Sequence, residues 1–499
     1  MRGPNPAQAP PDTVGSSGAR PVGALPLREP TVHTFVDTVA LVERVRGPVL
    51  RPGDDGFTTE IAGFNSAIVH RPQVVVAATD AGDVAAAVGW AAEQGLSVAV
   101  QSTGHGQLSA VDDGMLISTR RLDEVRIDPV ARRARVGAGV RWRRVIDAAA
   151  EHGLAPLSGS SSQVGVVGYT LGGGLPVLAR SYGFAADHVR AVELVTADGL
   201  VRRIDAEHEP DLFWALRGAG RIGFGVVTAI EFDLVPVRRL YGGGIFYPAS
   251  ATAEVLHTFR TWVPTLSELT TASVALLRLP DLPQLPEPLR GRFVVHLRTA
   301  HLGSAEDGER VLAPMRAAAP ALIDTVAEMS YVDVDAIHSD PTDPMPAHHA
   351  GIVLRHLPAE AVDALIAVAG PQVDVPLAMV ELRLLGGALA RPAAVPNAAG
   401  GRAGAFSLLG IGPLLPGLEQ VVPAVVRSVL DALEPFAATD TALANFQGSV
   451  EATVGPYGSW SGADAGRLSQ LKDRYDPTGM FGPGKLPTRP QSGVPVRFG

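Results

Sequence analysis

The sequence predicts an α+β protein with more than one domain, and three observations lead to that prediction. The chain has 499 residues, 46% of them hydrophobic, which is too long for a single compact core and indicates two or three domains. In the first half, segments with helical periodicity alternate with β-branched apolar runs. Between about residues 237 and 435 the composition changes and proline-rich joints appear, so a second domain is expected there.

The first regular elements are expected to form a βαβ unit. VVVAAT (residues 74–79) is a β-branched apolar run typical of a buried strand, and SVAVQS (residues 97–102) resumes as another. Between them, Asp83 is expected to cap a helix over residues 84–94 that ends at Gly95. Further elements are expected as strands at residues 115–118, 134–140 and 192–197 and as a helix at about residues 143–152.

Charge, cysteine content and terminal composition exclude several classes of protein. With 42 Lys and Arg against 51 Asp and Glu, the formal charge of −9 offers no basic field to nucleic acid or to an anionic membrane. The chain has no cysteine, which excludes disulfides, thiolate nucleophiles and thiolate-bound metal. Residues 1–30 lack the apolar core of a signal peptide, and no later stretch is apolar enough to span a bilayer. We therefore expect a flexible tail on a cytoplasmic protein.

Three glycine-rich stretches indicate a site for a large anionic ligand such as a dinucleotide. They are AVQSTGHGQ (residues 99–107), SGSSSQVGVVGYTLGGG (residues 158–174) and RGAGRIGFGVV (residues 217–227). Exposed backbone N–H groups in such loops receive phosphate oxygens, and glycine lets a ligand come close to the main chain. The alternative is that they are ordinary turns in a chain with 55 glycines. No P-loop motif and no fitting GxGxxG motif occurs, which argues against both standard nucleotide folds.

Taken in order, these stretches and their neighbours resemble the berberine bridge enzyme-like oxidases of the PCMH-type FAD-binding superfamily. The resemblance rests on residues 64–106, on RVGAGVRW, LARSYGFAADHV and DLFWALRGAG, and on NF and LKDRYDPTGMF near the C-terminus. It implies a two-subdomain FAD-binding domain and a substrate domain with an antiparallel sheet backed by helices. The implied boundaries are a tail at 1–30, the FAD-binding domain at 31–236, the substrate domain at 237–435 and a C-terminal segment at 436–499 that returns to the FAD domain.

The resemblance implies FAD attached covalently through His105, which matches the family histidine bonded to the 8α-methyl group. A neutral imidazole is a competent nucleophile toward that methyl group. The alternative is a structural histidine, since the chain has twelve others. Many relatives have a second tether from a cysteine, but Ser161 stands at that position and a hydroxyl is too weak a nucleophile to replace a thiolate. We therefore expect attachment through His105 only.

The remaining cofactor contacts are implied by the same resemblance. The loops at residues 102–106 and 160–165, in the first two glycine-rich stretches, are expected to hold the diphosphate and the ribityl chain. The glycine triplet is expected to pass beside the flavin, and Val227 is expected to lie near the adenine. The expected cofactor-binding residues are Ser102, Thr103, Gly104, His105, Gly106, Gln107, Ser160, Ser161, Gly165, Gly168, Gly172, Gly173, Gly174, Val227 and Asn445.

Arg383 is the first expected catalytic residue, because it matches a family position that faces the flavin. Strand alternation in VELRLLGGAL puts Glu381 and Arg383 on one face and Leu382 and Leu384 on the other. Arg383 is expected to hold a substrate carboxylate or enolate, or to stabilise negative charge at the reduced flavin. The alternative is a solvent-facing pair on an edge strand.

The catalytic base is harder to assign from the sequence. Relatives use tyrosines in a YxNY-like motif, whereas this chain reads ALANFQG, with Leu443 and Phe446 in those positions, and Leu175 follows the glycine triplet. Tyr169 and Tyr457 remain as candidates, each with a structural alternative. We therefore expect an apolar pocket, poor in bases, that suits a hydrophobic substrate.

These observations predict an FAD-dependent oxidase of secondary metabolism that passes a substrate hydride to flavin N5 and uses O₂ as acceptor. Alcohol oxidation, lactol oxidation and oxidative cyclisation are the expected outcomes. The main alternative is a non-redox cyclase that keeps the fold and FAD and orients a pericyclic addition, and the second is a flavin-free binding protein. Partners are expected to be a small hydrophobic substrate and O₂, with the chain a monomer or homodimer. HSDPTDPMPAHH (residues 338–349) matches no standard metal site and is expected to be a loop without metal.

Overall fold

Three β-sheets and their flanking helices organise the chain, which confirms the α+β prediction. The computed structural model describes residues 37–107, 110–439, 441–448, 459–460 and 462–482. Up to residue 233 the elements are α1 (Val39–Arg44), β1 (Val49–Leu50), α2 (Phe57–Ile61), β2 (Val74–Ala77), α3 (Ala81–Gln94), β3 (Val98–Gln101), β4 (Met115–Ser118), β5 (Val125–Asp128), β6 (Arg133–Gly137), α4 (Trp142–Ala150), α5 (Val166–Leu171), α6 (Ala179–Tyr182), β7 (Val189–Val195), β8 (Val201–Asp205), α7 (Pro210–Ala219) and β9 (Val226–Asp233).

The later elements belong mainly to one large sheet and the helices that cover it. They are β10 (Arg239–Pro248), α8 (Thr252–Trp262), β11 (Thr270–Arg278), β12 (Phe293–His301), α9 (Ala305–Ala318), β13 (Ile323–Asp324), β14 (Ala327–Ser330), β15 (Ala347–Leu354), α10 (Ala359–Ala369), β16 (Met379–Leu384), β17 (Phe406–Pro413), α11 (Val421–Leu433) and α12 (Gly462–Tyr475).

The first sheet contains the predicted βαβ unit. Its four strands lie in the order β1-β2-β4-β3, and both β2 and β3 pair in parallel with β4. The helix between them begins earlier than predicted, because Asp80 rather than Asp83 is the cap: the Asp80 carboxylate accepts the backbone N–H of Asp83 at 2.9 Å. Asp83 instead accepts the backbone N–H groups of Arg46 and Gly47, at 2.7 and 3.0 Å. The helix ends at Gly95, as predicted.

The second sheet is antiparallel, with the order β5-β6-β9-β7-β8. It includes the predicted strands near residues 134–140 and 192–197, observed as β6 and β7. Beside it, the RGAG part of the third glycine-rich stretch has a packing role. The buried guanidinium of Arg217 donates to the carbonyls of Val395 and Pro396, at 3.2 and 2.6 Å. The alternative that these glycines serve the fold and not a ligand therefore accounts for this part of the stretch.

The third sheet is the predicted antiparallel sheet backed by helices. Its strands lie in the order β13-β10-β12-β11-β16-β17-β15, with β14 also paired to β10, and all pairs are antiparallel. One face of the sheet packs against helices α8 to α11 in a large apolar core that includes Leu382 and Leu384 of β16. Because side chains alternate along a strand, the other face of β16 turns away from these helices. That face carries polar groups.

A buried ion pair fixes the end of the described chain against the first sheet. Nζ of Lys472 lies 2.7 Å from the Asp476 carboxylate, and both side chains are at most 3% exposed. The same carboxylate accepts the backbone N–H groups of Met480 and Phe481, at 2.7 and 2.9 Å. Phe481 in turn forms a bridge with Val98 of β3. Asp476 therefore braces the C-terminal return.

Among the described residues, no helix has the length and apolar character that a membrane span requires. Within the same residues, no three His, Cys, Asp or Glu side chains come together as ligands for a metal ion.

Replacing Asp476 with alanine is expected to lower the free energy of unfolding by about 3–5 kcal/mol, because it leaves the Lys472 ammonium buried and unpaired. Asp473, an exposed residue next to Lys472 on α12, provides the control. Asp473→Ala is expected to change the free energy of unfolding by less than about 0.5 kcal/mol. Chemical denaturation of the two variants measures the difference. Equal stability of both would contradict the bracing role.

Candidate cofactor site

The loop after β3 takes its shape from a close backbone contact. Gly104 has φ of +72°, and a Cβ on it would lie 2.6 Å from Cα of Gly63. Phe64 donates its backbone N–H to the carbonyl of Thr103 at 2.8 Å. Only glycine fits this position, since a side chain would meet main-chain atoms that have no room to move. The loop therefore presents the residue after Gly104 in one defined direction.

His105 lies at the tip of this loop with one ring nitrogen unused. Its ring stacks on Phe64 with the centroids 3.9 Å apart, and its Nδ1 lies 2.9 Å from Oγ1 of Thr103. Nε2 is buried and has no hydrogen-bond partner among the described residues. Burial, assisted by the charge of Arg141, lowers the pKa of His105 to about 4. At neutral pH the side chain is an uncharged imidazole with a free nitrogen.

The second glycine-rich loop comes up against the first, as predicted. A Cβ on Gly165 would lie 3.3 Å from Oγ1 of Thr103 and 3.5 Å from Oγ of Ser102. The hydroxyl of Ser102 is buried without a partner in the described part of the chain. Ser161 is buried too, and its hydroxyl accepts the backbone N–H of Gln163 at 3.3 Å. The two loops thus bring together hydroxyls and main-chain groups from distant parts of the sequence.

Three arginines surround these loops, and the glycine pattern did not predict them. Arg120 donates from Nε to the carbonyl of Ser102 at 3.1 Å, and Arg221 donates to the carbonyl of Gly106 at 3.1 Å. Arg141 lies near His105 and donates a hydrogen bond to the side-chain oxygen of Gln163 at 3.0 Å. Burial lowers the pKa of Arg221 to about 10, which leaves it charged at neutral pH. The loops therefore lie in a region of positive charge that favours an anionic ligand.

The glycine triplet meets the C-terminal segment through Asn445. A Cβ on Gly172 would lie 1.9 Å from the side-chain oxygen of Asn445, whose amide donates to the carbonyl of Tyr169 at 2.9 Å. Gly168 and Gly106, in contrast, have no atom within 4 Å of the position a Cβ would take, so their backbones border open space. The triplet, Tyr169 and Asn445 are thus brought together.

Tyr169 is poorly suited to act as a base. Its hydroxyl is buried and has no hydrogen-bond partner among the described residues. Burial raises the pKa of Tyr169 well above its usual value, because the charged phenolate would lose its hydration. At neutral pH the phenol keeps its proton and can only donate a hydrogen bond or accept one weakly. Tyr457, the other candidate, lies outside the described residues.

The remaining predicted contacts have known positions but no geometry that tests their roles. Ser160 and Gln107 lie in the same two loops, and Gly173 and Gly174 have positive φ values of +100° and +68°. Val227 is a buried residue of β9 opposite Leu194.

Arg383 belongs to a buried cluster on the polar face of the large sheet. Its Nη2 donates to the Glu381 carboxylate at 2.9 Å, and Arg298 donates to the same carboxylate at 3.0 Å. Burial alone would raise the pKa of Glu381, but the two guanidinium groups outweigh it and hold the pKa well below its usual range. β16 lies between β11 and β17, so the alternative of an exposed pair on an edge strand is wrong.

A small pocket opens between this cluster and the segment after the glycine triplet. The pocket is narrow, with a cavity volume of about 10 Å³, which is space for a group about the size of one water molecule. The prediction of an apolar pocket is wrong for this lining, because two guanidinium groups and an imidazole face it. His338 comes from residues 338–349, the stretch predicted as a loop. Residues 338–346 contain no helix or strand, but residues 347–349 form the start of β15, so the loop prediction is wrong for them. The lining residues are Pro176, Val177, Thr271, Ala272, Ser273, Arg298, Thr299, Ala300, Ile337, His338 and Arg383.

The three residues that the resemblance places at phenol positions of relatives come together in one apolar cluster next to this region. Leu175 and Leu443 are buried in it, and Phe446 packs against it. Leu175 is distant from Leu443 and Phe446 in the sequence, and the fold brings them together. The cluster provides an apolar surface directly before Pro176 of the pocket lining.

The residues of this region fit FAD. A free imidazole nitrogen at His105, an unpaired hydroxyl at Ser102, open backbone at Gly106 and Gly168 and the nearby arginines suit a large ligand with a diphosphate. Buried polar atoms without partners are rare in native proteins, and a bound group supplies the missing contacts.

Comparisons with known proteins agree with this assignment. The FAD binding domain family matches residues 72–205, which include both glycine-rich loops. The (R)-6-hydroxynicotine oxidase of Paenarthrobacter nicotinovorans is 32% identical over 308 residues, 59% of this chain and 64% of that protein. An FAD-linked oxidoreductase of Bacillus subtilis, YvdP, is 29% identical over 311 residues, 61% of this chain and 67% of that protein. The aligned region thus spans 64% of the length of the first relative.

Solved structures extend the similarity to nearly the whole chain. The crystal structure of 6-hydroxy-D-nicotine oxidase from Arthrobacter nicotinovorans has a TM-score of 0.76 and 27% identity, and the match covers 90% of this chain and 98% of that one. The berberine bridge enzyme-like protein 1 of Physcomitrella patens shares the fold, with a TM-score of 0.77 and 20% identity over 91% of this chain and 99% of that one. Residues 72–205 thus match an FAD binding domain, and the chain has the same fold as 6-hydroxy-D-nicotine oxidase and the berberine bridge enzyme-like protein.

Proposed function

We propose that the chain is an FAD-dependent oxidase of secondary metabolism that carries its cofactor covalently on His105. FAD, when bound, would supply a two-electron acceptor, so that a hydride and a proton lost by the substrate end in hydrogen peroxide formed from O₂. In this proposal residues 31–236 and 436–499 hold the cofactor, and residues 237–435 supply most of the substrate site. The expected reactions are alcohol or lactol oxidation and oxidative cyclisation.

The observation that best supports the proposal is the state of the His105 side chain. A nitrogen that attacks an electrophilic carbon must carry no proton, and the lowered pKa of His105 keeps the ring neutral at physiological pH. Thr103 occupies Nδ1, and the unpaired Nε2 is the nitrogen left for a bond. Stacking on Phe64 holds the ring in place.

The chain's other residues bind and orient the reactants in this proposal. Main-chain groups of the two glycine-rich loops hold the diphosphate, and Arg120, Arg141 and Arg221 balance its charge. Arg383 orients the substrate from the polar face of the large sheet. Tyr169 donates a hydrogen bond rather than accepting the substrate proton, because its pKa is raised.

A second function keeps the fold and FAD but performs no oxidation. The apolar residues at Leu175, Leu443 and Phe446 favour it, because they remove the phenols that serve as bases in relatives. In such a non-redox cyclase the pocket orients a pericyclic addition, and no proton acceptor is needed.

Replacing His105 with alanine is expected to abolish covalent attachment while the glycine-rich loops still bind FAD. The purified variant is expected to be yellow, and acid precipitation is expected to give a pellet without flavin fluorescence, whereas the wild-type pellet remains fluorescent. His152→Ala, at an exposed histidine, is the matched control and is expected to behave like the wild type. A fluorescent pellet from His105→Ala would show that another residue forms the bond.

Anaerobic mixing of the yellow protein with hydrophobic alcohols and carboxylate-bearing alcohols is expected to bleach the visible flavin absorption with at least one of them. Admission of air is expected to restore the colour and to give equal amounts of ketone or lactone and hydrogen peroxide. The measurement is absorption spectroscopy with product analysis. Product that forms while the absorption stays unchanged would contradict the oxidase function and favour the cyclase.

A further inference from the structure

We propose that the pocket lined by Arg298, His338 and Arg383 is an anion subsite that binds a carboxylate carried on an apolar substrate skeleton. The inference rests on the proposed oxidase function, because it names the class of substrate for the same site. It follows from the balance of buried charge, from two unpaired donors and from the apolar surface on the other side of the pocket.

The buried layer of the polar face carries more positive than negative charge. The guanidinium groups of Arg298 and Arg383 are 3% and 8% exposed, and they share the single carboxylate of Glu381, which is 2% exposed. Asp340 lies 4.0 Å from Arg298 but is 26% exposed, so water screens it. Two buried guanidinium groups that share one carboxylate have unused capacity for hydrogen bonds, so a second anionic group beside them is favoured.

The two buried histidines on the polar face of the sheet, His296 and His338, add no charge, but His338 adds a hydrogen-bond donor. Burial lowers the pKa of both His296 and His338 well below the usual value, so both rings are neutral. Nη2 of Arg383 lies 3.3 Å from Nε2 of His338, and because arginine can only donate, this nitrogen accepts. The proton of His338 is therefore on Nδ1.

Two donors in the pocket lining have no acceptor. Nδ1 of His338 and Nε of Arg383 are both buried without a hydrogen-bond partner among the described residues. An unsatisfied buried donor is destabilising, and more so when it is charged. A carboxylate accepts from both kinds of donor and removes this penalty.

The opposite side of the pocket limits what is attached to the carboxylate. Pro176 and Val177 line it, and the preceding Leu175 belongs to the apolar cluster with Leu443 and Phe446. Because the pocket has room for little more than the charged group, the carboxylate of an aromatic or alicyclic acid enters it and the skeleton lies outside, on this surface. The hydrophobic substrate expected from the sequence is therefore revised to an amphipathic one.

Calorimetric titration of the purified holoprotein with benzoate and with benzamide tests the inference. The two probes have nearly the same shape, but only benzoate carries the charge. Benzoate is expected to bind at least about tenfold more tightly, since hydrogen bonds to charged groups contribute more than those to neutral ones. Equal affinity for the two probes, or no binding of either, would overturn the inference.

Two variants with opposite expected effects on benzoate affinity separate an effect of charge from an effect of structure. Arg383→Met is expected to weaken benzoate binding by about tenfold or more and to leave benzamide unchanged. Glu381→Gln keeps the shape of the side chain and removes the competing carboxylate, so benzoate is expected to bind more tightly. If Arg383→Met does not fold, as judged by thermal unfolding, the Glu381→Gln result still decides, because weaker benzoate binding in that variant would overturn the inference.

Arg278→Met is the matched control. Arg278 belongs to β11 of the same sheet, but its guanidinium donates to the backbone carbonyls of Ala369, Gly370 and Val373, outside the pocket. Its benzoate affinity is expected to equal that of the wild type. If the protein is colourless but prefers benzoate, the oxidase function is contradicted and the anion subsite is supported. If the protein is yellow but shows no preference for benzoate, only the anion subsite is contradicted.

Discussion

The close contact between Gly63 and Gly104 is the constraint on which the cofactor site depends. Because the two backbones leave no room for a side chain, the loop after β3 can turn only where it does, and His105 comes to lie against Phe64. That position buries much of the imidazole, and burial together with the charge of Arg141 lowers its pKa to about 4. A feature of the main chain thus contributes to the protonation state of the side chain on which the proposed cofactor linkage depends.

A second constraint comes from the alternation of side chains along β16. Leu382 enters the apolar core shared with the helices, while Glu381 and Arg383 enter the polar layer on the opposite face. Burying a carboxylate and guanidinium groups in that layer is unfavourable unless the charges are paired. The pairing around Glu381 meets this requirement only in part, and the unpaired remainder faces the pocket.

Much of the fold and the cofactor loops could be predicted from the sequence, and the charged pocket could not. The βαβ unit, the antiparallel sheet and the proximity of the glycine-rich loops follow from local periodicity, glycine content and resemblance to the family. The helix cap was assigned to Asp83 instead of Asp80, because both are capping residues and only the backbone geometry decides between them. Arg298 and His338 come from separate segments, and no local pattern brings them beside Arg383.

The helices that cover only one face of the large sheet have a consequence for how such proteins diversify. Residues on the covered face maintain the fold, while those on the opposite face contact neither the helices nor the core that the helices form. Exchanges at the second set change the chemical preference of the pocket and leave the apolar core under the helices in place. A scaffold of this kind can acquire new substrates during evolution through a few alternate positions on its central strands.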